Sequence, residues 1–392
     1  MISHIIKLIW NKKSANALLI LEILLAFIVL FAVLSFVFYN TDRLDNPLGF
    51  ETENIKYVRF GDLEELDSLQ RIETIERMRT ELEDLELIQE VAFSTTVSPF
   101  GQSNWCHGND DNGYHIEACY GVVDYNFIQT NGMNIIEGRG FLEDDLNATY
   151  PPIIPNKQFM ENFYPGQSMI DSIIMYAGLD RQIIGVVEAY KYGGEFEESE
   201  NRMLLLYNPA ESDQFRITNA YLKLDPSADV AFEEKISNTV KNVLSSSSFV
   251  IQDAPALRKR TNLETWIPMV ALLSMCGFLC LNVALGLFGV LSYSISKRRS
   301  EVGLRRAVGA SGGSIAQQFT LEVILLAAVA LIIGIFFAVQ IVFFDLVDAN
   351  SSIFYRGIVY GAGVILLVVT ICALYPSLQA SRIHPATALH ED

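Results

Sequence analysis

The sequence predicts a membrane protein with four transmembrane α-helices and a large mixed α/β extracytoplasmic domain between the first and the second. Three observations carry this. The chain has 392 residues, is 51% hydrophobic and still carries a net charge of −18, so its apolar and charged residues must be kept apart. Four apolar stretches are each long enough to cross a hydrocarbon core, which takes about 20 helical residues. The charge is also segregated: residues 39–264 hold 39 of the 46 acidic and 18 of the 28 basic side chains, a net of −21 against +3 for the remainder.

Residues 1–16 place Ile2, Ile5, Ile6 and Ile9 on one helical face with Lys7 and Lys12 elsewhere, the pattern of a short helix lying in the cytoplasmic interface. The first transmembrane helix covers 17–38. A run of about 22 residues is too long for the core of a cleaved signal, and no small-residue cleavage site follows it. The second covers 265–293, the third 315–344 and the fourth 358–378, with a basic loop at 294–314 and a tail at 379–392. Lys7, Lys12 and Lys13 precede the first helix, five Lys and Arg residues lie between the second and third, and Arg382 follows the fourth. Positive-inside reasoning therefore puts both termini and the 294–314 loop in the cytoplasm and the acidic segment outside.

The outer segment, 39–264, alternates strand-like and helix-like patterns. Strands are expected at 55–59, 91–96, 183–187, 203–207, 220–224 and 249–252. Amphipathic helices are expected over 67–86, on Ile72, Ile75, Met78, Leu82 and Leu85, and over the stretch carrying Phe232, Ile236, Val240 and Val243. This is a mixed α/β domain with a core of its own, with room for two lobes. The run from Glu195 to Glu200 is expected to be a solvated loop. Residues 254–264 enter the second span without a glycine, which suggests a stiff stalk that Pro255 and Pro268 would bend.

Cys106 and Cys119 are symmetric about Asn112-Gly113, a dipeptide favoured in two-residue hairpin turns, so a disulfide between facing strands is geometrically possible. Gly108, Asn109, Asp110 and Asp111 are poor strand residues, and a loose loop with two free thiols is the alternative. His107, Asp110, Asp111 and His115 match no standard metal-ligand spacing, and solvation of a loop explains them more simply. Cys276, Cys280 and Cys372 fall within spans and serve as small apolar residues.

The net −21 segment and the lack of a basic stripe exclude nucleic acid as a partner. No Gly-x-x-x-x-Gly-Lys-[Ser/Thr] occurs, so the sequence has no P-loop, and no set of catalytic, cofactor-binding or metal-binding residues stands out. Glu22 and Glu322 lie near the cytoplasmic ends of spans, where snorkelling accounts for them, and Asn282 suggests an interhelical hydrogen bond. The informative stretch is the loop from Lys297 to Ser311, a short basic helix with Val302, Leu304, Ala307 and Val308 on its apolar side. Composition leaves open whether it docks a protein or holds the lipids of the inner leaflet.

Three sets of residues resemble the FtsX/MacB family of ABC-transporter permeases. The first is Arg299-x-Glu301-Val302-Gly303-Leu304-Arg305-Arg306-Ala307-x-Gly309-Ala310-Ser311, followed by Gln318-Phe319-x-Leu321-Glu322. The second is the closing Tyr375-Pro376-x-x-x-Ala380-x-Arg382-Ile383-x-Pro385-Ala386-x-Ala388-Leu389. The third, in the outer domain, is Gly138-Arg139-x-Phe141 with Ile184-Gly185-Val186-Val187. The resemblance implies an inner-membrane permease subunit of a bacterium, paired with a second copy or a related permease. Its MacB-like periplasmic domain would be driven mechanically by a separate cytoplasmic ATPase dimer that binds the ATP and Mg. Arg298, Arg299, Glu301, Val302, Leu304, Arg305, Arg306 and Gly309 would form the coupling helix at the ATPase. Reversing Glu301 and Arg305 together is expected to abolish ATPase binding. A periplasmic adaptor and outer-membrane channel are further partners the resemblance implies, and three jobs stay open: export of a periplasmic substrate, extraction of lipoproteins, or control of a cell-wall hydrolase. A membrane-anchored sensor or scaffold with no ATPase, its basic loop only a lipid anchor, is the reading from a different class.

Overall fold

The structure, a computed structural model, describes residues 13–61, 66–95, 99–101, 105–111, 114–209, 215–244, 248–344 and 350–381. The expected interfacial helix at 1–16 falls outside these residues up to residue 12, and the tail does so from residue 382. Two compact units form, one from Arg43–Thr265 and the other from the segments on either side.

In chain order the elements begin with α1 (Lys13–Leu44), β1 (Ile55–Phe60), α2 (Ser68–Glu83), β2 (Ile88–Ser94), β3 (Trp105–Asp111), β4 (Tyr114–Val123) and α3 (Phe127–Thr130). There follow β5 (Ile135–Gly138), β6 (Pro152–Pro155), α4 (Lys157–Phe163), β7 (Ile173–Tyr176), β8 (Leu179–Ile183), β9 (Gly185–Val187) and β10 (Arg202–Leu206). The last are β11 (Asn219–Leu224), α5 (Val230–Leu244), β12 (Phe249–Asp253), α6 (Ala254–Lys297), α7 (Arg299–Ala307), α8 (Gly312–Phe343) and α9 (Ser351–Ser381).

Four of these, α1, α6, α8 and α9, are long and apolar enough to cross a membrane. Within the membrane unit α1 is the hub: Ile23 and Phe27 are wholly buried, and Leu30 and Phe31 nearly so. Small residues let the other helices close on it. A Cβ at Gly334 of α8 would stand 2.5 Å from the Phe27 ring, one at Gly357 of α9 2.3 Å from Ser35 Oγ, and one at Gly361 3.5 Å from Phe27. On α6, the bare face of Gly286 makes room for Glu22, whose carboxylate oxygens would lie 2.9 Å from an added Cβ. Asp42 and Arg356 form a two-pronged ion pair between α1 and α9, with the guanidinium 5.1 Å over the Phe38 ring. Asn282 departs from expectation. Its side-chain amide donates to Phe278 O on its own helix at 2.9 Å, using the second lone pair of the carbonyl one turn back.

The expected stalk and second span are a single helix, α6. Pro255 sits in its first turn, where no backbone N–H is needed, and Pro268 lies inside it.

In the outer unit one long sheet runs in the order β12-β1-β11-β2-β4-β10-β6-β8-β7, and β3 joins it through β4. The order contains two lobes. In the first, α2 and α5 cover β12, β1, β11 and β2 around Val58, Met78, Phe93, Leu222, Ile236 and Val240. Asp67 opens α2 with a reciprocal capping box to Gln70. In the second, α4 covers β4, β10, β6, β8 and β7 around Ile153, Phe159, Tyr176, Ile183 and Leu205. Strand β10 is buried along its whole length and pairs parallel with β4, as an uninterrupted Met-Leu-Leu-Leu run suits.

The lobes meet at a narrow seam. β2 and β4 share the single register pair Ser94↔Val123. Asp124, the next residue, fastens it: its N–H donates to Phe93 O at 3.0 Å, and its Oδ2 accepts from Phe93 N at 2.9 Å and from Arg79 Nη2 of α2 at 2.7 Å. Arg79 also lies 4.9 Å over the Phe93 ring and 5.1 Å over that of Tyr125.

Two local readings change, and a third is decided between its alternatives. The strand expected at 183–187 is divided between β8 and β9, because the chain bends at Ile184 to let Gly185 meet β5. Residues 108–111 are strand despite their composition: β3 runs opposite β4 from Trp105↔Tyr120 to Asp111↔Tyr114, with Cys106 facing Cys119 and the two sulfurs joined as a disulfide. His107 stacks edge-on against Tyr176 at 5.9 Å, and the side chains of 109–115 lie outside the described residues. The run from Glu195 to Glu200 is not simply solvated, since Phe196 is buried and Glu195 and Glu197 are mostly covered by arginine and backbone partners.

Candidate functional site

The loop between the second and third spans folds as α7, nine residues whose charges suit a helix: Glu301 in the first turn, Arg305 and Arg306 in the last. Val302 is 4% exposed and packs into the core of the membrane unit. A chain of polar side chains braces the same face. Glu301 pairs with Arg305 one turn on, Arg305 Nη1 donates to Gln318 Oε1 at 2.7 Å, and Gln318 Nε2 donates to Glu322 Oε1 at 3.2 Å. Glu322 in turn accepts from Arg298 Nη1 at 3.0 and 3.2 Å. Glu322 is therefore neutralised by Arg298 at the helix N-cap, not by snorkelling.

The turn that follows explains the Gly309-Ala310-Ser311 run. Gly309 N donates to Arg306 O at 3.1 Å and Ala310 N to Arg305 O at 3.0 Å, the paired bonds of a Schellman end, with Gly309 at φ +99°. Ser311 then caps α8, accepting from Ser314 N at 3.2 Å. A Cβ on Gly309 would meet open space, so Gly309→Ala carries only backbone strain, about 1–2 kcal/mol. Gly309→Ala is expected to lower the melting temperature of the chain in detergent. Gly313→Ala, equally open but at an ordinary helical φ, is expected to hold or raise it.

The expected coupling residues thus divide by direction. Arg298, Val302 and Arg305 face the fold and Gly309 shapes the turn. Arg299 and Glu301 are exposed, and Arg306 is half-buried. Leu304, 57% exposed, and Val308, 82% exposed, form an apolar pair on the outer face. Gln318 completes the brace; it stood in the matching motif but was not among the expected site residues, because only the fold shows that it reaches Arg305.

Two further fragments of sequence meet in the outer unit. Gly138 pairs with Gly185 between β5 and β9, Arg139 N donates to Ile184 O at 3.0 Å, and a Cβ at Gly185 would fall 2.2 Å from Arg139 O.

The model of the MacB-like periplasmic core domain matches residues 17–239, more than half of the chain, and that of the FtsX-like permease C-terminal region matches 273–385. The chain belongs to the MacB/FtsX permease family. MacB proteins named macrolide export ATP-binding/permease proteins are among its relatives. That of Bartonella quintana is 24% identical over 295 residues, 71% of this chain and 43% of the relative. That of Psychrobacter arcticus is 24% identical over 327 residues, 79% of this chain and 48% of the relative. The chain spans less than half the length of these relatives. Solved structures with likeness include the periplasmic region of MacB from Actinobacillus actinomycetemcomitans, 15% identical, covering 56% of this chain and 98% of that one at a TM-score of 0.40. Another is the extracellular domain of the noncanonic ABC-type transporter YknZ from Gram-positive bacteria, 11% identical, covering 51% and 100% at a TM-score of 0.35. Its four helices long and apolar enough to span and its match to a MacB-like periplasmic core domain make this MacB/FtsX permease a membrane protein with an extracytoplasmic domain.

Proposed function

We propose that the chain is the permease subunit of an ABC transporter of the mechanotransmission type. A separate ATPase dimer in the cytoplasm binds ATP and Mg, docks on α7, and through the spans moves the outer domain for export or extraction of a periplasmic substrate. The chain then sits in a bacterial inner membrane with both termini and α7 in the cytoplasm, paired with a second permease copy or a related one. The observation that carries the reading is the outer face of α7. A lipid anchor needs only cations, whereas here Arg298 and Arg305 are spent on internal pairs and the outward positions include the apolar Leu304 and Val308 beside Arg299 and Glu301.

A pull-down of the tagged chain from native membranes is expected to bring down an ATPase of about 25 kDa, the size of a single such domain. Recovery of the chain with no ATPase would leave a membrane-anchored scaffold as the better account.

A further inference from the structure

One loop holds both helices that connect with the outer unit. At the end of α1, Lys191 is 2% exposed, and its Nζ donates to the carbonyl oxygens of Arg43, Asn46 (3.1 Å) and Glu195 (3.2 Å). The carbonyls of a last helical turn carry the negative end of the helix dipole, so an ammonium group is matched to them. Burial holds Lys191 below the ordinary lysine range, yet three oxygens surround its charge. Arg43 reaches back to Phe196 O at 3.1 Å and to Glu198 at 2.8 Å.

Four residues beyond Lys191, Glu195 holds the opening turns of α6. It accepts from Arg258 Nε at 2.8 Å, from Arg258 Nη2 and from Asn262 Nδ2. Gly194, at φ +114°, lets the loop lie against α6, where an added Cβ would stand 3.2 Å from Thr261 Cγ2. The far end of the loop is tied to the sheet. Glu197 accepts from Gly193 N at 2.7 Å and pairs with Arg202, the first residue of β10, at 2.6 Å. The acidic run therefore has partners on α1, α6 and β10, an inner strand of the sheet.

We propose that residues 191–202 are a clasp that couples the end of α1 to the start of α6 and delivers the displacement of either helix to β10. The proposal rests on the mechanotransmission reading, under which these two helices carry the motion. The distinguishing consequence is cooperativity: cutting the bond to one helix loosens the other.

Hydrogen exchange on the full chain in lipid nanodiscs tests it. Glu195→Ala, which removes the bonds to α6, is expected to speed exchange about tenfold at 258–262 and also at 43–46, which Glu195 does not contact through its side chain. Lys191→Met is expected to speed both segments likewise. The double exchange Glu195→Arg with Arg258→Glu is expected to return both toward the parent rates. Acceleration confined to the helix whose own bond was cut, in both Glu195→Ala and Lys191→Met, overturns the clasp. That result is independent of any ATPase, whereas the permease reading falls on the pull-down.

Discussion

Leu304→Glu is expected to abolish co-purification of the ATPase while the amount of permease in the membrane stays at its parent level. The side chain is 57% exposed on the outer face of α7, so the fold loses little when it is replaced. A carboxylate at the centre of an apolar contact must be desolvated on docking, and disruption of a central anchor commonly costs 2 kcal/mol or more, roughly a thirtyfold loss of affinity. Val308→Glu, 82% exposed one turn further on, is expected to act in the same direction. The contrast is the double reversal of Glu301 and Arg305. That change keeps the i,i+4 pair but replaces the donor to Gln318 with a carboxylate, so its effect on docking comes through a loosened brace and is accompanied by a lower melting temperature. Normal ATPase recovery with Leu304→Glu and Val308→Glu combined would remove α7 as the docking element.

Arg79→Ala is expected to have the largest effect on the outer unit. The ion pair with Asp124 is buried, 9% and 5% exposed at the two side chains, and removing one partner of such a pair typically costs about 3–5 kcal/mol because the other charge is left without compensation. For a domain of this size that lowers the melting temperature of the outer unit by roughly 10 °C. Replacing both residues, as Arg79→Met with Asp124→Leu, is expected to recover much of the loss. The pH dependence follows. Burial pushes the Asp124 carboxyl up to about 6, against the pull of Arg79 and of the backbone N–H groups that it accepts from. That is above the value of about 3.9 in an unfolded chain, so its contribution to stability is full below the unfolded value and is lost as pH rises through about 6. In Arg79→Ala the pull of the guanidinium is gone and the carboxyl rises further. Its deficit against the parent is therefore greatest at pH 7.5 and smaller at pH 5, where the carboxyl takes up a proton. Calorimetry at the two pH values checks the sign; an equal deficit at both would mean that Asp124 stays charged throughout.

The spans were legible because length and hydropathy decide them locally, and α2 and α5 because their apolar residues repeat at helical spacing. What could not be read from the sequence is pairing between distant segments. Parallel β10 on β4 joins Arg202 to Cys119, and no local pattern announces it. The same holds for the acidic run: Glu195 looks like a solvated loop residue until the fold brings Arg258 to it across more than sixty positions. The loop from Lys297 to Ser311 was legible as an element but not in its faces. Val302 and Leu304 are two positions apart and both apolar, and only the contact with the third span decides which of them turns inward.

The central place of α1 has a consequence for biogenesis. Its packing partners Gly334 and Gly357 follow it by roughly 300 residues of chain. At about 5–20 residues per second of synthesis, that is a delay on the order of 15–60 s. Throughout it the first span stands in the bilayer with Phe27 and Phe31 against lipid and Asp42 without Arg356. A helix in that position must persist alone before it is captured, and its most apolar window has a mean hydropathy of 3.1, the highest of the four spans.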